Sequence, residues 1–456
     1  MIKLIVFLLS VTAISILSND KNFIMGSYGR IGIASNFEGG AGKPAQIVLN
    51  STRLEKLPYQ EIYLKYDFTS DLSKKDGIET SLNFTMGFNE DSFHYTGKFT
   101  VNSAIRNLYL NVDNILLKDF NIWVGSRMYR GDDIYLLDFW PLDNLNTIGA
   151  GIKYSFNSTE IKLHIGANRL DQGDVKNPYQ LLYYSIPLRD KIGSEKVIIL
   201  DRQKYITSFG ITQLLENINL KLKLYGEFHT ISKASYQYES NNYSLPDDKG
   251  FLIGTQITYY DFLGKKNFIH FFAKYSRSLA AYGELGIPYD LNKEKRTTDA
   301  NEILLGLAFN FEKGNIGLMA GSYFRRFRDA DNNNYDNDDI NEAIFDLRFL
   351  YYIGKYFHIS TELSYQTLQV NNIDSLTIKN ETPRMFKFLI MPTLSPNGRG
   401  NFTQPKIRLI YSLSTYNDSA QKIINHQTPS LSENPTSTWG NYTHYLGISA
   451  EWWFNN

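Results

Sequence analysis

The chain has 456 residues, 43% hydrophobic, 14% aromatic and 21% charged, with no cysteine and a formal net charge of zero. This composition supports a packed fold and excludes disulfides, thiolate metal sites and a cysteine nucleophile. The lack of a basic excess sets nucleic-acid binding aside, and 32 tyrosines and 29 phenylalanines favour strands and turns over helices.

The N-terminus, MIKLIVFLLSVTAISILSN, has one early lysine, Lys3, an apolar run from Leu4 to Leu17 and small residues at Ser15 and Ser18. It reads as a secretory signal peptide over residues 1–18, since the run is short of the about 20 apolar residues a spanning helix needs. Loss of Lys3 with that leader leaves residues 19–456 with one acidic residue in excess.

After residue 20 the dominant period is two. In IETSLNFTMGFN, Ile78, Leu82, Phe84, Met86 and Phe88 share one face, and Glu79, Ser81, Asn83 and Thr85 the other. INLKLKLYGEF repeats the pattern, with Ile218, Leu220, Leu222 and Leu224 opposite Asn219, Lys221 and Lys223. Such alternation makes strands with one apolar and one polar face. Eighteen segments of this kind begin near residues 26, 58, 78, 102, 119, 146, 159, 202, 217, 249, 266, 300, 315, 340, 356, 383, 402 and 441.

The connections between them sort by parity. Those after strands 2, 4, 6, 8, 10, 12 and 14 are short, as in NSTE, FEKGN and IGK, and those after odd-numbered strands are longer and polar. A soluble sandwich has no reason to sort loop lengths, whereas an outer-membrane barrel has short turns on one side and long loops on the other. Leader, even strand count, sorted loops and an aromatic ending, YLGISAEWWFNN, together predict an all-β fold: a transmembrane antiparallel β-barrel of about 18 strands. It forms a single domain over residues 19–456, with an inward-folded third external loop.

The polar faces then line a hydrated lumen. The first strand, GSYGRIGIA, offers Tyr28 and Arg30 there, and the second offers Tyr59, Glu61, Tyr63 and Lys65. In SAIRNLYL the lumen parity falls on Asn107, Tyr109 and Asn111, which leaves Arg106 out of phase unless a bulge or a strand end intervenes. The third long loop contains YRGDDIYLLDFW (129–140), whose IYLLDFW half is too apolar for a solvated tip and predicts packing against the wall. FTQPKIRLIYSL puts Phe402, Gln404, Lys406 and Arg408 on the lumen face, and the last strand puts Tyr445, Glu451 and Trp453 there. Aromatic rings on a wet face gain no burial unless something stacks on them. Sugars do so, packing C–H faces on rings while hydroxyls bond charged groups.

These stretches resemble the maltoporins, the eighteen-stranded trimeric porins for maltodextrins. GSYGRIGI is similar to their first strand, which makes Tyr28 an aromatic of the sugar slide and Arg30 its arginine. TRLEKLPYQEI resembles the second, with Arg53, Tyr59 and Glu61 as a pore arginine, a slide tyrosine and a sugar-binding glutamate. WVGSRMYRGDDIYLLDFW resembles the constriction loop, matching Asp133 and Asp138 to its acids and Trp140 to its aromatic. Phe402 and Trp453 fall on slide tryptophans, and Arg106 on a further pore arginine. The family's loop arginine falls on Gly131, with Arg130 one position earlier. A slide aromatic expected before NFIHFF falls near Lys265, and Phe93, Tyr95 and Phe99 are the candidates for an aromatic lent to a neighbouring subunit.

The resemblance implies passive, guided diffusion of maltodextrins or related oligosaccharides through a homotrimer in outer-membrane lipid, with no cofactor and no nucleic-acid partner. A general porin with little sugar preference, or a surface receptor or hydrolase barrel, are the alternatives. Enzymatic signals are weak: the seven histidines are scattered without paired metal spacing, and the sequence holds no HExxH or GxSxG motif. The acidic run DADNNNYDNDD lacks the glycine and glutamate of a calcium loop, having Asn334 and Ile340 at those positions.

Overall fold

The computed structural model describes residues 22–168, 203–331, 339–370, 381–427 and 441–455, except 38, 57, 94–96, 98–100, 239–240, 286–287, 289–290 and 295. The expected leader at 1–18, Tyr95 and Phe99, and most of the acidic run with Asn334 lie outside these residues. The first strands are β1 (Phe23–Ser35), β2 (Tyr59–Asp67), β3 (Glu79–Phe88), β4 (Ser103–Asp113), β5 (Phe120–Met128), β6 (Asn146–Phe156) and β7 (Thr159–Asn168). Next come β8 (Lys204–Leu215), β9 (Leu220–Ile231), β10 (Ala234–Tyr238), β11 (Asn241–Leu245), β12 (Asp248–Tyr260), β13 (Phe268–Ser278) and β14 (Asn301–Lys313). The chain finishes with β15 (Ile316–Arg328), β16 (Ile340–Ile353), β17 (Phe357–Val370), β18 (Arg384–Leu394), β19 (Lys406–Tyr416) and β20 (Tyr442–Asn455).

Eighteen of these form one antiparallel sheet in which each strand pairs with its sequence neighbours, while β10 and β11 make a separate hairpin and β9 pairs with β12. β1 pairs with β2 on one side and β20 on the other, so the sheet closes on itself. Every barrel strand starts within four residues of its expected position, the largest difference being β19, which begins at Lys406.

Exposure alternates with the pleat. Along β12, Phe251, Ile253, Ile257 and Tyr259 are exposed while Asp248, Gln256 and Thr258 are buried. Ile33, Val124, Ile165, Leu305 and Ile448 continue this outward apolar surface around the wall. A soluble protein would collapse such a belt, but hydrocarbon solvates it, and closure leaves no unpaired strand edge for lipid to meet. Connections at one barrel end are mostly tight, as at Asn157–Ser158 and Gly314–Asn315. Two at that end are longer, the one after β2 against expectation and the one after β18 with no length expected of it. Residues 68–78 include a short helix, Asp71–Lys75, and residues 395–405 hold Phe402, which therefore lies in a turn and not in the strand predicted for it.

The interior is occupied by two long connections. From the one after β5, Ile134, Leu137 and Leu142 join Leu252, Phe272, Ala308, Tyr323 and Ile344 of the wall in one buried cluster. Leu136 packs with Met319, Leu350 and Tyr352. The connection after β1 adds Ala45, Ile47 and Val48 to the larger cluster. It is also held by polar bonds: the backbone amides of Ile47, Leu49 and Asn50 donate to Gln366, Glu342 and Tyr323, and Lys387 bonds the carbonyl of Ala45 at 2.7 Å and Glu55 at 2.5 Å.

Candidate functional site

The connection after β5 closes its own base like a hairpin. Tyr129 N–H donates to Leu145 O at 2.6 Å, and Gly131 N–H to Asp143 O at 2.9 Å. A Cβ on Gly131 would meet Leu142 O at 2.7 Å, so the arginine the family carries there does not fit this backbone. Farther on, Ile134 N–H donates to Phe139 O at 2.7 Å around a 3-10 turn, Tyr135–Leu137. Asp138 caps that turn with φ of 52°, a left-handed conformation that aspartate tolerates better than most residues, and this aims its carboxylate back toward β1.

Three cations converge on that carboxylate. Arg30 lies 3.0 Å, Arg53 2.8 Å and Lys56 3.2 Å from its oxygens. Arg53 sits in a second 3-10 turn, Arg53–Glu55, whose Thr52 accepts a bond from Leu54 N–H. Its guanidinium also contacts Glu451 of β20 at 2.8 Å and donates to Tyr28 Oη at 2.6 Å. It lies over the Tyr135 ring at 4.7 Å, and Glu451 in turn takes Arg408 at 2.8 Å. One carboxylate thus ties two long connections to the wall. Burial pushes the Asp138 carboxyl upward, but Arg53, Lys56 and Arg30 outweigh it and hold its pKa at about 2.

Around this knot stand the other expected residues. Tyr28 and Tyr59 have ring centroids 6.2 Å apart, and Tyr59 donates to Glu61 at 2.5 Å. Arg130 covers the Trp140 ring at 4.1 Å. Arg106 occupies a bulge: Thr85 pairs with Asn107 and Met86 with Ile105, so Arg106 has no partner on β3. The extra residue carries its side chain to the Tyr59 side, where a Cβ on Gly87 would touch both Tyr59 Oη at 2.9 Å and Arg106 Cγ at 3.4 Å. Asn107, Tyr109 and Asn111 keep their own inward parity, so both readings of this strand are satisfied. Asp133 lies near Arg53 and Asp138, and burial raises its pKa to about 6 against the pull of Arg53.

Two residues stand apart. Phe402 makes an edge contact with Tyr135 at 5.0 Å and stacks on Phe268 at 6.1 Å, toward the tight-turn end. Trp453 pairs with Tyr28 across the strands, so it shares that face, and 62% of it is exposed. Sequence reasoning missed Lys56, Tyr135 and the inward course of residues 45–56. The available signal was RLEK, which places two cations and a glutamate around a leucine in a supposedly solvated loop.

A family model described as LamB porin matches residues 23–454. The chain belongs to the LamB porin family. It is accordingly an outer-membrane porin of a Gram-negative bacterium, which agrees with the closed barrel and its apolar belt. No curated protein matches the porin by sequence. Among solved structures it is similar to Pseudomonas aeruginosa OccD3, at 9% identity and TM-score 0.47 over 96% of this chain and 92% of that one. It is also similar to Pseudomonas aeruginosa OprD, at 9% and 0.46 over 95% and 96%, and to Acinetobacter baumannii OccAB2, at 11% and 0.45 over 95% and 97%.

Proposed function

We propose that this porin conducts oligosaccharides of the maltodextrin type by guided diffusion. The observation that carries the reading is the Asp138 knot: a carboxylate shared by Arg30, Arg53 and Lys56, beside the Tyr28 and Tyr59 rings. Rings give C–H faces a surface to slide on, and the flanking charges exchange hydrogen bonds with hydroxyls. Glu61, Asp133 and Arg106 extend the polar track, while Trp140, Phe402 and Trp453 extend the stacking one. The connection after β5 narrows the lumen, so a sugar passes within reach of these groups. Each contact is weak enough to release, as conduction requires.

In this reading residues 1–18 are the export leader, residues 19–456 the mature barrel, and the working unit a homotrimer in outer-membrane lipid. Crosslinking in detergent that stops at three copies supports the trimer; a monomer alone refutes it. The transport reading is tested by liposome swelling with maltose to maltopentaose, for the wild type and Tyr28→Ala. Faster swelling than with sucrose, reduced by the substitution, supports a slide; equal rates for all sugars and both proteins leave a general porin.

A further inference from the structure

The inward-facing arginines fall into two groups. Arg30, Arg53, Arg325, Arg348 and Arg408 each have a carboxylate within ion-pair distance. Arg106, Arg127 and Arg130 have none among the described residues, and Arg127 is packed over the Tyr109, Trp123 and Tyr129 rings. The Arg106 guanidinium donates to the thioether of Met128, at 3.2 and 2.9 Å, a weak acceptor for a full charge. That of Arg130 donates to Asn144 at 2.5 Å and rests on the Trp140 ring. Both lie beside Tyr59 and Glu61, and Arg106 is the cation that acts most strongly on Arg130. Glu61 is the acid facing them, and its carboxylate already accepts the Tyr59 hydroxyl. Asp138 also acts on Arg130 but is already shared by Arg30, Arg53 and Lys56, so the two guanidiniums keep a local positive excess over Glu61 next to an aromatic face, and neutral hydroxyls do not require it.

We propose that Arg106 and Arg130, with the Tyr59 ring, form a subsite for an acidic sugar whose carboxylate or sulfate ester is gripped by the two guanidinium forks. The geometry suits such groups because a fork presents paired N–H donors to two oxygens at once. The forks are held from two sides: the wall bulge at Arg106 turns one toward Tyr59, and the Trp140 indole of the connection after β5 supports the other under Arg130. This rests on the sugar-slide reading of the same track and narrows its substrate class.

The test is channel block in planar bilayers, comparing maltotriose, trigalacturonate and a sulfated trisaccharide at 0.1 and 1 M salt as orders of magnitude. An acidic trisaccharide should block about tenfold more tightly than maltotriose at the lower salt, with the margin shrinking as salt rises. Whichever acidic sugar binds tighter identifies the substituent. Arg106→Gln and Arg130→Gln should each reduce the acidic-over-neutral ratio, and Arg106→Lys should retain part of it. Acidic sugars that block no better than maltotriose overturn the subsite while leaving the slide intact. So does a preference unchanged in both glutamine variants. Block by no sugar at all overturns the slide and the subsite together.

Discussion

At the scale of single residues, Asp138 and Asp133 are neighbours with opposite fates. Asp138 is held ionised by three cations, so its contribution to docking is complete above the ordinary carboxylate range and is lost only as pH falls through about 2. Asp138→Asn leaves Arg30, Arg53 and Lys56 without their shared counter-ion, at a cost of about 3–5 kcal/mol in loop docking. Trypsin should then cut after Arg53 or Lys56 faster in detergent; an unchanged cleavage rate would show that the knot does not hold the loop. Asp133 carries a raised pKa, about 6, because burial disfavours its charge. The folded state therefore keeps a proton the unfolded chain gives up, and stability declines as pH rises from the ordinary range to about 6. Across that step the lumen gains one negative charge. Reversal potentials in a salt gradient should shift toward cations with a midpoint near 6, and Asp133→Asn should flatten the curve.

At the scale of elements, the connection after β5 is seated by shape as much as by charge. A Cβ on Gly321 of β15 would lie 2.8 Å from Ile134 Cγ2 and 3.3 Å from Leu136 Cβ. Gly321→Val should push that connection off the wall and raise single-channel conductance, at a packing cost of about 1–3 kcal/mol. Conductance equal to wild type would mean the connection does not limit the pore. The strands were legible because alternation is a local signal, and β12 and β16 show it cleanly. The bulge at Arg106 was legible as a conflict between parity and family match. The course of residues 45–56 was not, since its anchors, Gln366, Glu342, Tyr323 and Lys387, lie hundreds of positions away in the chain. Phe402 was misplaced for a similar reason: the period-two pattern of KIRLIYSL extends backward through FTQP by coincidence, while the backbone there turns.

At the scale of the whole molecule, the outward face decides how the barrel lives. Ile253 is half-exposed in mid-strand, a position where a soluble protein accepts arginine at almost no cost. Here Ile253→Arg should lower stability by about 2–4 kcal/mol in urea titrations of vesicle-folded protein, because the charge meets hydrocarbon. A neutral result would contradict the membrane-facing assignment of that face. Inside, the barrel is not an open pipe. Two connections share it, pinned to each other at Asp138 and to the wall by apolar packing and by polar bonds. The proposed solute track runs beside β1, β2 and β20, where Tyr28, Tyr59, Arg30, Arg53 and Glu451 stand together.

Ion current through single channels decides whether sugars slide along the proposed track. Malto-oligosaccharides of increasing length should block the current with affinity that rises with each added unit, and sucrose should block weakly. A large, steady current that no malto-oligosaccharide reduces would contradict the account, leaving a barrel whose interior connections serve only as a size filter.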